Sequence, residues 1–148
     1  MKSIITNEKD ERFLKLVREL DNGYYQRIGK DLSKYNEYNS LEIPHVVILL
    51  IDSGKNVACA SYRVLSKDSV EFKRVYVKKD YRRKGIAFKL IERLERDVIE
   101  KGFRYSYIVT GKNNTPAIGL YEKLNYHIIP NIKGFEDDKR IISMKKEF

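Results

Sequence analysis

A chain of 148 residues, 42% hydrophobic and 34% charged, fits one folded domain with a proper core and shows no low-complexity segment. One cysteine, Cys59, excludes an internal disulfide, and with only two histidines beside it no zinc set forms, so no metal is expected. The net charge of +9 points to phosphate-bearing or acidic partners, either nucleic acid or a phosphorylated cofactor, beside the simpler reading of a solvated basic surface.

The opening MKSIITNEKDERF has no apolar run of signal-peptide length. The longest apolar stretch, Val46–Ile51, is far short of the ~20 residues of a membrane helix, so a reducing cytoplasm is the expected location. Asp10 to Leu20 reads as an amphipathic helix, with Phe13, Leu14, Leu16, Val17 and Leu20 on one side, and Asp21-Asn22-Gly23 is expected to end it. Tyr24 to Tyr38 is a weaker, tyrosine-rich helical segment.

Three strands follow. His45–Ile51 is β-branched, Asp52-Ser53-Gly54-Lys55 is a hairpin turn, and Val57–Leu65 and Val70–Val77 are joined at Ser66-Lys67-Asp68. The pattern then changes. Ile86, Ala87, Leu90, Ile91, Leu94 and Val98 recur at helical spacing up to Gly102. Tyr105–Thr110 is a short strand, and Asn114–Leu124 is a helix with Pro116 in its permissive first turn. Tyr126–Ile129 and Arg140–Lys145 close the chain as strands. An antiparallel meander followed by strand–helix–strand implies an α/β domain with one parallel pair joined by a crossover.

The segment between the third strand and its helix, Val77 to Ala87, carries the strongest signal. Amides at a helix N-terminus, aided by the helix dipole, make an anion site. Gly85 permits close approach of a phosphate to the backbone, and Ala87 keeps the first turn clear. Lys78, Lys79, Arg82, Arg83 and Lys84 surround the place with positive charge, so a pyrophosphate fits. A solvated basic turn fits the same residues. The segment is too short for a Walker loop and lacks the dinucleotide fingerprint.

Arg82-x-x-Gly85-x-Ala87 after a strand resembles the Arg/Gln-x-x-Gly-x-Gly/Ala motif of the GNAT acetyltransferases. Val70-Glu71-Phe72-Lys73-Arg74-Val75-Tyr76-Val77 resembles the strand that precedes the motif in many bacterial members. Thr110-Gly111 and Asn114-x-x-Ala117-Ile118-x-Leu120-Tyr121-Glu122-Lys123-Leu124 resemble the family's later helix, with Asn125 where glycine is usual; Asn tolerates the left-handed conformation. Ile129-Pro130-Asn131 and Ser143-Met144-Lys145-Lys146 resemble the tail of one bacterial branch. The resemblance covers roughly residues 46–148, with a looser echo in the first helix.

It implies a GNAT fold: a mixed, mostly antiparallel sheet flanked by helices, with a central parallel pair splayed around acetyl-CoA as cosubstrate. It places the pantetheine against the backbone of Val75, Tyr76 and Val77, and the pyrophosphate on Arg82, Arg83, Lys84, Gly85, Ile86 and Ala87. Asn114 is implied as a cofactor contact and also suits the N-cap of its own helix, with Asn113 as its competitor for either role. Glu71, eleven residues before Arg82, matches the spacing of the general base in the histone acetyltransferase branch; an ion pair with Lys73 is the structural alternative. Strand alternation puts Glu71, Lys73, Val75 and Val77 on one face, with Phe72 and Tyr76 on the other.

Tyr121 is implied as the general acid and cofactor contact, with core packing as its alternative. Tyr24, Tyr25, Tyr35 and Tyr38 are implied to border the acceptor cleft or to cover the sheet. Cys59, in an apolar strand far from either histidine, reads as a buried structural thiol. The implied reaction is direct acetyl transfer to the primary amine of a small molecule or peptide. Monomer and homodimer both remain open. Two other classes stand beside it: an acyl-CoA-binding sensor without catalysis, and a basic nucleic-acid-binding module. The second lacks a recognition helix or RNP-like signature.

Overall fold

The computed structural model describes residues 1–28 and 43–148, with residues 24–28 by backbone alone. Among these, seven strands form one sheet: β1 (Lys2–Asn7), β2 (Val46–Asp52), β3 (Lys55–Val64), β4 (Ser69–Val77), β5 (Tyr105–Gly111), β6 (His127–Ile129) and β7 (Ile141–Glu147). Their order across the sheet is β1-β2-β3-β4-β5-β7-β6. The β4–β5 pair is parallel and every other pair is antiparallel. Helices α1 (Glu11–Ile28), α2 (Ile86–Glu100) and α3 (Thr115–Lys123) pack on its two faces. No helix of the described residues is long and apolar enough to cross a membrane.

The larger core lies under α2 and α3. There Ile86, Leu90, Ile91, Leu94 and Val98 meet Ile48, Tyr62, Phe72, Ile108 and Met144. On the other face α1 lays Phe13, Leu16 and Val17 over Val47, Leu49 and Cys59. Burial pushes the Cys59 thiol up to about 12, so it is the inert core thiol expected.

Three features depart from the sequence reading. β1 is a strand where none was expected; its six residues lie at the sheet edge, with only Ile4 and Thr6 half-buried, so the apolar signal is thin. Helix α1 does not stop at Asp21-Asn22-Gly23 but runs through to Ile28. A helical glycine costs only about 1 kcal/mol relative to Ala. Buried Leu20 and an ion pair from Asp21 to Arg74 of β4 hold the helix at that point.

The third departure bears on the site. Arg74 adopts a left-handed backbone (φ 55°), and the β3–β4 register slips between Cys59 and Ser61. This β-bulge resets the alternation. Val75 and Val77 join Val70 and Phe72 against the α2 core, while Tyr76 turns to the α1 face. Glu71 and Lys73 therefore share a face with Tyr76, not with Val75 and Val77.

Candidate active site

The sheet opens at its centre. β4 and β5 pair only from Ser69–Tyr105 to Phe72–Ile108. Beyond that point β4 continues to Val77 bonded to β3, and β5 continues to Gly111 bonded to β7. The two strands part at Lys73 and Val109, leaving Val75, Tyr76 and Val77 on one wall of the gap.

At the end of that wall the chain makes one 3-10 turn (Lys79–Tyr81) and enters α2. Arg83 (φ 62°) and Gly85 (φ 75°) are both left-handed, turning the backbone sharply. Gly85 is the N-cap of α2, no side chain caps it, and the first turn holds no acidic residue. The leading amides of α2 are thus left for an anion, with the positive end of the helix behind them. A Cβ built on Gly85 meets no atom within 4 Å, so the glycine answers to its φ and to whatever lies on the loop, not to a crowded protein neighbour. Tyr81 Oη donates to Asp52 Oδ2 at 3.0 Å and anchors the loop to the β2–β3 hairpin. Arg82 Nε donates to the Val77 carbonyl at 2.8 Å, and its guanidinium lies 5.7 Å from the Tyr76 ring centroid. In this conformation Arg82 braces the loop. A separate cleft of about 730 Å³, lined by Lys15, Lys55, Lys78 and Lys84 among others, opens between α1, the hairpin and the loop. It lies on the β3 side of β4, whereas the gap lies on the β5 side.

Glu71 is 3% exposed, in the last paired stretch before the gap. Arg63 Nε donates to its Oε1 at 2.8 Å, and Lys73 Nζ lies 3.6 Å from Oε2. The expected Glu71–Lys73 ion pair therefore exists, with Arg63 as an additional partner. Burial raises the Glu71 carboxyl to about 7, against the pull of Lys73. Burial lowers the Lys73 ammonium, against the attraction of Glu71.

On the opposite face α3 delivers Tyr121 into the α2 core, 5% exposed and edge-on to Tyr126 at 6.2 Å between ring centroids. Ala117, Leu120 and Leu124 share that apolar helical face. The base and acid candidates thus lie on opposite faces of the sheet, Glu71 on β4 and Tyr121 on α3, with the β4–β5 gap between them. Asn114 caps α3, its side chain accepting from the Ala117 amide at 3.3 Å, and Asn125 takes the left-handed position (φ 72°) after the helix.

The sequence pattern described as Acetyltransferase (GNAT) family matches residues 13–126. The chain belongs to this family. An acetyltransferase of Pectobacterium atrosepticum is 40% identical over 50 residues, 34% of this chain and 36% of the relative. The chain thus matches about a third of that relative's length. The GNAT fold is also that of PaiA N-acetyltransferase from Thermoplasma acidophilum in complex with coenzyme A (TM-score 0.75, 17% identity, 100% of both chains). A GNAT acetyltransferase from Elizabethkingia anophelis with acetyl-CoA bound aligns at TM-score 0.63 and 17% identity, over 81% of this chain and 84% of that one.

Two residues near the gap of this GNAT domain escaped the sequence reading. Arg63 was legible in principle, because a turn centred on Lys67 sets Val64 opposite Val70 and Arg63 opposite Glu71. Lys145 is placed by the late strand pairing, opposite Tyr107 on one side and His127 on the other. The tyrosines assigned to an acceptor cleft lie outside what is described: Tyr35 and Tyr38 entirely, Tyr24 and Tyr25 in their side chains.

Proposed function

We propose that this GNAT domain transfers the acetyl group of acetyl-CoA to a primary amine by direct attack in a ternary complex. The observation that carries the reading is the uncapped start of α2, entered through left-handed Gly85 at the end of a parted parallel pair. In it the pyrophosphate lies on the amides from Arg83 to Ala87 and the pantetheine runs along Val75–Val77 into the gap. Glu71 takes a proton from the acceptor ammonium, directly or through water, and the neutral nitrogen attacks the thioester carbonyl. Backbone N–H groups at the parted edge stabilise the oxyanion. As the C–S bond breaks, Tyr121 donates its phenolic proton to the departing thiolate; the acylated nitrogen then gives up its remaining extra proton to solvent, the phenol is reprotonated, and the amide and free CoA are left.

The test is detection of free thiol from acetyl-CoA across a panel of amine acceptors. Release that depends on one acceptor class supports the reading; acetyl-CoA binding with no release for any amine contradicts it. Arg63 and Lys73 on both sides of Glu71 favour, as a second reading, a domain that binds acyl-CoA without turning it over. That reading requires the second result.

A further inference from the structure

The α1 face of the sheet carries a row of polar side chains at the level where β4 and β5 begin to part. Register sets Arg63 opposite Glu71, Glu71 beside Tyr107, Tyr107 beside Lys145 and Lys145 beside His127. Parity keeps them on one face, because Tyr62, Phe72, Ile108 and Met144, one position along in each strand, all point into the α2 core.

Lys145 stands out in this row. Its ammonium sits over two rings, 4.5 Å from the Tyr105 centroid and 5.3 Å from the Tyr107 centroid. Among the described residues, the carboxylates beside it on the same face are engaged: Glu71 with Arg63 and Lys73, and Glu147 with Arg104. The Lys145 side chain is half-buried, so it is partly stripped of water, and aromatic faces replace an anion only in part. Neighbouring strands lie about 4.8 Å apart, so Lys145 and Glu71, two strands apart, have backbones about 10 Å apart. A ligand whose nitrogen approaches Glu71 therefore reaches the Lys145 ammonium with a group only a few atoms away.

We infer that the acceptor is an amine bearing an anionic group, a carboxylate or phosphate, a few atoms from its nucleophilic nitrogen, and that Lys145 binds that anion. The inference rests on the acetyltransferase reading above. The chemistry is complementary along the row: Glu71 faces the amine end, and Lys145, over Tyr105 and Tyr107, faces the acid end. A polycationic acceptor such as an aminoglycoside or polyamine would set a second ammonium against Lys145, a like-charge contact that selects against it.

The experiment compares matched primary amines that differ in one substituent: carboxylate, phosphate, uncharged amide or a second ammonium. CoA release is measured with the intact chain and with Lys145→Ala. Anionic members are expected to be the better substrates. Lys145→Ala should raise their KM about 10- to 100-fold, the worth of one hydrogen bond to a charged group, with kcat little changed. Lys145→Glu should invert the order and favour the diamine. Stabilisation of each variant by acetyl-CoA reports that it is folded. If acetyl-CoA stabilises the wild type but amide or ammonium members are preferred, if no anionic member reacts, or if Lys145→Ala leaves their KM unchanged, this inference is wrong while the cofactor reading stands. If acetyl-CoA fails to stabilise the wild type, both fall.

Discussion

The two halves of β4 do opposite work with the same nine-residue strand. Its first half is hydrogen-bonded to both neighbours and carries charge on buried side chains, with Glu71 paired to both Lys73 and Arg63. Its second half is bonded on one side only and runs into a loop whose chemistry is backbone: left-handed Arg83 and Gly85 and the open start of α2. The bulge at Arg74 divides them, turning Val75 and Val77 toward the α2 core while Glu71 stays on the α1 face. In the proposed reaction, phosphate binding and proton movement would thus fall to two kinds of group, with different sensitivities to mutation.

That division is sharpest at Gly85. A valine there meets no protein atom at its Cβ, so the domain should still fold. A β-branched residue held left-handed costs roughly 1–2 kcal/mol, lowering Tm by some 2–8 °C at ~2–4 °C per kcal/mol. Binding should suffer far more, because the side chain stands over the amides. We expect isothermal titration to show no acetyl-CoA affinity for Gly85→Val and partial affinity for Gly85→Asn, which tolerates the left-handed turn. Unchanged affinity in the valine variant would remove the loop from the cofactor site.

The first half should respond in the opposite sense, losing rate and keeping affinity. Glu71→Gln should lower kcat/KM by ~10²–10⁴-fold, the usual worth of a general base, with acetyl-CoA affinity retained. Because burial raises this carboxyl to about 7, and a base works only when ionised, wild-type rate should climb as pH rises through that value and fall below it. The variant should lose this limb. Wild-type rates from the variant across pH 6 to 9 would leave Glu71 as a structural ion-pair partner alone.

A smaller effect is expected at Tyr121. Phenylalanine keeps the packing against Tyr126 and removes only the hydroxyl. Turnover should drop about 10- to 100-fold, at or below the lower end of general-acid effects, with Tm little changed. Easy unfolding together with normal specific activity would make Tyr121 a core residue.

Much of this was legible in the sequence because local rules and the fold agree. The α2 stripe, the Asn114 cap, the Asn125 C-terminus of α3 and the Gly85 turn each follow from a residue's own conformational preference. The bulge was not legible: an arginine at positive φ carries no sequence signature, and period-two alternation has no term for a slip. The continuation of α1 was missed because propensity weighs Gly23 alone, whereas the buried helix face and the Asp21–Arg74 pair are tertiary. Lys145 was missed for the same kind of reason, since its neighbours come from β5 and β6.

The central claim is that the basic loop serves a specific acyl-CoA cofactor and not polyanions in general. Specific binding needs the turned loop and the parted strands together, so it exists only in the folded state. A ligand that binds only that state stabilises it by ~2.7 kcal/mol at a hundredfold excess over Kd, or roughly 5–11 °C in Tm for a domain of this size. Non-specific nucleic-acid binding through six or more phosphates weakens about 10³-fold or more between ~50 and ~200 mM salt. The direct measurement is therefore thermal unfolding at the higher salt with saturating acetyl-CoA, with desulfo-CoA and with random oligonucleotides. The account predicts a large upward shift with acetyl-CoA, most of it kept with desulfo-CoA, and little with oligonucleotides. Stabilisation by oligonucleotides with none from acetyl-CoA would contradict it.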